Sequence, residues 1–153
     1  MTRVMAQGTF DILHPGHLHY LEESAALGDE LYVVIARDSR VTERKDLFMD
    51  EESRRRVVEA LSVVDGAILG SEGSIFDSVE RIDPDVITLG YDQGYDPEEL
   101  EETLADAGFE GIEVVQIEGC EGGGVTASSD VKAQIRGHCG EAEFESVRPD
   151  EER

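Results

Sequence analysis

Along this chain, short apolar runs alternate with stretches whose apolar positions repeat at helical spacing. "RVMAQG" (3–8), "LYVVIA" (31–36), "DGAILG" (65–70), "PDVITLG" (84–90) and "IEVVQI" (112–117) read as strands. The second is nearly all apolar, as a strand covered on both faces must be. Between them, 17–28, 51–62, 74–82 and 96–108 read as helices, and "SSDVKAQIRG" (128–137) as a last short helix with a hydroxyl residue at its N-cap. Leu18, Leu21, Ala25 and Leu27 are expected to form the buried face of the first helix, with Gly28 ending it. A polar loop is expected after the second strand, and Pro97 and Gly108 bracket the fourth helix.

Strands and helices in strict alternation predict an α/β fold: a Rossmann-like, doubly wound, five-stranded parallel sheet with right-handed crossovers. The expected domain spans 1–140, and 141–153 reads as an acidic, frayed tail. Such sheets bind ligands beyond the carboxyl ends of their strands. That rule selects the loop at 8–17, the loop after Ala36, "GYDQ" (90–93) and the stretch 118–129.

Charge narrows the class of partner. The 153 residues include 36 Asp or Glu and 13 Lys or Arg, for a net charge of −23. Such a surface repels nucleic acid and anionic membranes, and it suits concentrated salt, where self-repulsion is screened. No apolar run approaches the roughly 20 residues of a membrane span, and the N-terminus lacks a signal peptide's apolar core. Two cysteines, Cys120 and Cys139, are too few for a secreted disulfide framework. A cytoplasmic, reducing location is expected. The two thiols read as inert, with a redox pair or weak metal site as the alternatives.

Against this background, residues 37–56 stand out, with seven basic residues against six acids. All of the net negative charge lies elsewhere. Arg55 and Arg56 are expected to pair with Glu51, Glu52 and Glu59. Lys45 and Arg54 are the better candidates for binding a polyphosphate.

The most unusual residues are in "GTFDILHPGH" (8–17). Gly8 at a strand end permits a tight turn, Pro15 fixes the backbone, and His17 opens a helix whose unpaired N–H groups favour an anion. His14 and His17 could each donate a hydrogen bond to one phosphate cluster, the electrostatic clamping that phosphoryl-group transfer needs. Loop histidines bonded to backbone, or a metal pair, remain open on these residues alone, although no third ligand sits at a usual spacing. Ser128 and Ser129 stand at a helix N-terminus, a ready phosphate site, and Asp92 could take a ribose hydroxyl or orient a histidine. Neither the G-x-x-x-x-G-K-[ST] loop nor the dinucleotide fingerprint is present.

"GTFDILHPGH", Lys45 and Arg54, "GYDQ" and "SSDV", in that order, resemble the cytidylyltransferase-like branch of the HxGH nucleotidyltransferase superfamily. The resemblance runs from residue 1 to about 137. "ARD" after the second strand, "VDGAILG", "LGYDQ" and two late cysteines are most similar to the archaeal FAD synthases. It implies attack by a substrate phosphate oxygen on the α-phosphorus of a nucleoside triphosphate, with pyrophosphate leaving. For that group the substrates are ATP and FMN, Mg²⁺ or another divalent cation accompanies ATP, and a homodimer is implied. His14 and His17 would hold the triphosphate; Lys45 and Arg54 would neutralise the acceptor phosphate and the leaving pyrophosphate. Ser128 and Ser129 would seat phosphate oxygens, Gly8, Thr9 and Phe10 would line the nucleotide pocket through their backbone, and Asp92 would approach the nucleotide. Asp11 is expected to brace the loop. The alternatives are a cytidylyltransferase making a CDP-alcohol and a non-catalytic nucleotide-binding domain. Gln93 stands where cytidylyltransferases of this branch carry a tryptophan, which weakens the glycerol-phosphate cytidylyltransferase alternative.

Overall fold

The computed structural model describes residues 1–41, 47–72, 74–90 and 96–119. Within them, β1 (Arg3–Gly8), α1 (Pro15–Ala25), β2 (Glu30–Ile35), α2 (Asp38–Val41), α3 (Glu51–Glu59), β3 (Gly66–Leu69), α4 (Ile75–Ile82), β4 (Val86–Gly90), α5 (Pro97–Asp106) and β5 (Glu113–Ile117) follow in order. The five strands form one parallel sheet in the order β3-β2-β1-β4-β5. This is the expected doubly wound α/β architecture. The expected helix at 128–137 and the tail from 141 lie outside the described residues.

Because side chains alternate across a strand, β1 sends Val4 and Ala6 to one face and Met5 to the other. Val4 and Ala6 join Leu21 of α1 and Val58 of α3, whereas Met5 joins Val79 and Ile82 of α4 and Leu100 and Leu104 of α5. Strand order reverses at β1, so the switch point falls between β1 and β4, where such folds bind their ligands.

Three expectations need correction. The first helix starts at Pro15, two residues early, because His14 supplies the N-cap and proline suits the first helical position. Its buried face is Tyr20, Leu21 and Ser24, while Leu18 is 38% and Leu27 41% exposed. Leu18 points well off the axis through Tyr20, Leu21 and Ser24, and Leu27 lies beyond the helix end. The supposed polar loop after β2 contains α2, whose four residues are too few to show a period.

Candidate active site

The loop from Thr9 to His14 leaves the carboxyl end of β1 and enters α1. His14 is the N-cap: its backbone is extended, and its Nδ1 accepts a hydrogen bond from the Gly16 N–H at 3.0 Å. With Nδ1 an acceptor, the proton of the neutral ring sits on Nε2. The His14 carbonyl accepts the N–H groups of His17 and Leu18, which starts the helix and brings His17 round beside it. The two imidazoles stack with centroids 3.8 Å apart and planes 25° from parallel. Two rings that can both become donors thus share one location at the N-terminus of α1, where the helix dipole favours negative charge.

Phe10 sets the other side of this pair. Its ring meets His17 edge-on at 5.0 Å and stacks on Tyr20 at 6.4 Å. The backbone of Phe10 has φ +52°, a left-handed conformation that costs a bulky residue on the order of 1–3 kcal/mol and persists only where the surroundings enforce it. Gly8 explains how the ring fits: a Cβ there would lie 2.8 Å from the Phe10 ring carbons. Gly8 is therefore required for the room it leaves, rather than for the turn expected from the sequence.

Two buried charges tie the loop to the segment after β2. Asp11, 1% exposed, accepts the backbone N–H of Met49 at 2.8 Å and that of Phe48 at 2.9 Å, so it braces the loop as expected. Arg54 of α3 has no exposed surface; its Nη1 donates to the Thr9 carbonyl at 2.8 Å, its Nη2 to Asp38 at 2.6 Å and its Nε to the Met49 carbonyl at 3.3 Å. In this geometry Arg54 holds the Thr9–His14 loop, α2 and the entry to α3 together. These bonds use three of the five N–H groups of the guanidinium. Arg37 adds a further tie, donating to Glu51 and to the Gly70 carbonyl.

Farther out, Arg55 pairs with Glu52 and Glu59, as expected for an exposed helix face, while Glu51 goes to Arg37. The Arg55 hydrogen bond holds the Glu52 carboxyl below its ordinary pKa, and Glu52 in turn raises Arg55. Asp50 caps α3 by accepting the Ser53 N–H, which lowers its pKa.

Lys45, Asp92, Ser128, Ser129, Cys120 and Cys139 lie outside the described residues. The described structure brings His14, His17, Gly8, Thr9, Phe10 and Arg54 to one end of β1. Sequence reasoning missed Asp38, the partner of Arg54, and a buried hydroxyl cluster under α1. There, the Tyr20 hydroxyl donates to the Thr88 carbonyl at 2.9 Å, and Ser24 Oγ donates to the Tyr20 carbonyl and lies 2.8 Å from Thr88 Oγ1. Only Tyr20 could have been found beforehand, as a hydroxyl-bearing aromatic three residues beyond His17 that must find a partner when buried.

A parallel sheet with a switch point at β1 and a stacked histidine pair capping the next helix defines a nucleotidyltransferase-type domain, and the chain belongs to the Cytidylyltransferase-like family, whose model matches residues 5–134. Among its relatives, a protein named FAD synthase from Halalkalicoccus jeotgali is 54% identical over 110 residues, 72% of this chain and 78% of that one. An FAD synthase of Methanolacinia petrolearia is 48% identical over 135 residues, 88% of this chain and 90% of that one. The crystal structure of the lipopolysaccharide core biosynthesis protein from Thermoplasma volcanium matches with a TM-score of 0.76 and 49% identity, over 79% of this chain and 99% of that one.

Proposed function

We infer that this chain is an FAD synthase, an FMN adenylyltransferase. A phosphate oxygen of FMN attacks the α-phosphorus of ATP; the bond from that phosphorus to the bridging oxygen of the β-phosphate breaks, and FAD and pyrophosphate are the products. One observation carries the reading: the stacked His14–His17 pair stands at the N-terminus of α1 in a chain about half identical to proteins named FAD synthase. In this reading both rings donate to phosphate oxygens as negative charge builds on the leaving pyrophosphate, which is electrostatic rather than covalent catalysis. We assign Gly8, Thr9 and Phe10 to the wall of the nucleotide pocket. Arg54 acts by fixing Thr9, and Lys45 neutralises phosphate charge. Ser128 and Ser129 seat phosphate oxygens at the last helix, and Asp92 meets the nucleotide.

Among the described residues no group of three His, Cys, Asp or Glu is arranged to hold a metal ion. A divalent cation such as Mg²⁺ would arrive on the triphosphate's own oxygens, as this small, tightly hydrated ion commonly does. When bound, the ion would neutralise phosphate charge. A homodimer acting in a salt-rich cytoplasm completes the reading. The acidic composition supports the salt, and no described helix is long and apolar enough to cross a membrane.

The test is direct. The protein is incubated in high salt with Mg²⁺, FMN and either ATP or CTP, or with CTP and glycerol phosphate, and the products are separated by chromatography. FAD from ATP and FMN is expected. Turnover of glycerol phosphate with CTP, without any flavin dinucleotide, would reject the assignment.

A further inference from the structure

The β1–β4 ladder is shorter than its neighbours. β1 pairs with β2 through Gly8↔Ile35 and β4 with β5 through Gly90↔Ile117, both to the strand ends. Between β1 and β4 the register is Val4↔Val86 and Met5↔Ile87, and there it stops. Continued by two residues, that register would send the Gln7 N–H to the Thr88 carbonyl. The Tyr20 hydroxyl occupies that place. It accepts from the Gln7 N–H at 3.3 Å and donates to the Thr88 carbonyl at 2.9 Å, while Thr88 Oγ1 lies 3.2 Å away as a further donor. A side chain from α1 has been inserted into the ladder, and the backbone groups it separates remain satisfied through it.

We propose that Tyr20 is a positioning residue that holds β1 and β4 apart at the switch point, so that the crevice is open before the nucleotide arrives. The inference rests on the nucleotide-binding reading of this end of the sheet. Tyr20 is suited to the task by its packing. Its ring is buried against Phe10, whose own ring meets His17, so strand separation and the position of the catalytic imidazole are set by one aromatic stack. Ser24 fixes the helix turn that carries Tyr20, through the Tyr20 carbonyl and Thr88 Oγ1.

Tyr20→Phe keeps the ring and removes the wedge. The strands should then close, with a direct bond from the Gln7 amide to the Thr88 carbonyl visible as a through-bond nitrogen–carbon coupling in NMR spectra. Thermal stability should be unchanged or higher, while KM for ATP rises about tenfold, a modest loss of binding free energy. A residue with only a structural role would do the reverse, losing stability and leaving KM alone. Ile82→Val, on the opposite face of the sheet, is the contrasting variant, expected to lower stability with KM for ATP unchanged. Wild-type KM for ATP in Tyr20→Phe would overturn the proposal. So would a direct Gln7–Thr88 coupling in the wild-type protein, a measurement that needs no variant to fold. If the wild-type protein makes no FAD, the coupling experiment still decides the wedge.

Discussion

The two faces of the sheet are built differently. On the α4/α5 face, Met5, Val79, Ile82, Ile87, Leu89, Leu100 and Leu104 form an apolar core in which Ser78 of α4 is the one buried polar residue among those described. On the α1/α3 side lie Asp11, His14, Ser24, Arg54 and Thr88, all buried, together with a left-handed phenylalanine. Buried polar groups are tolerated only when satisfied, and each network there connects elements distant in sequence. One face holds the domain together; the other holds its chemistry in shape. Stability and turnover should therefore be separable by which face is altered.

The largest expected effect is on turnover alone. His17→Ala should lower kcat by about 100- to 1000-fold, as loss of one positioned donor does elsewhere, with the circular dichroism spectrum and melting temperature close to wild type. A steady-state assay beside a melting curve checks both halves. Arg54→Leu should join what His17→Ala separates. It strands the Thr9 and Met49 carbonyl oxygens and frees Asp38, a loss on the order of 3 kcal/mol in denaturant unfolding, and turnover should fall with it. On the other face, Ile82→Val should lower stability by about 1 kcal/mol and leave kcat and KM of the folded fraction untouched. If KM moves, the faces are not independent.

The smallest effect is the acid response of Asp50. Its carboxyl is held below the ordinary value of 3.8, first by the Ser53 N–H, so its contribution is complete above that pH. It drains as pH falls through the lowered value. Asp50→Asn keeps the cap but not the charge, and its acid unfolding midpoint should lie slightly closer to wild type than its midpoint at pH 7 does.

Much of this was legible in the sequence, for physical reasons that also mark where legibility ends. The strands announced themselves because both faces of the sheet are covered, so β2 and β4 had to be almost wholly apolar. The histidine pair was visible because its spacing is local. Arg54 was singled out for its charge, but its burial was not readable, since Thr9 lies 45 residues away and Asp38 sixteen. The Tyr20–Thr88 contact spans 68 residues and replaces a ladder bond that itself exists only once the sheet is assembled. Leu18 and Leu27 misled because a leucine on a helix is a weak statement about which side faces inward.

Arg54 has one more consequence. A coat of carboxylates responds to every change in the ionic medium, since counterions reach it freely. A guanidinium sealed from solvent is beyond their reach, so dilution or concentration of the surrounding brine loosens or tightens the exterior while the seat of the Thr9 carbonyl stays where it is. The anchor of the Thr9 carbonyl is thereby set apart from the ionic strength that governs the carboxylate coat.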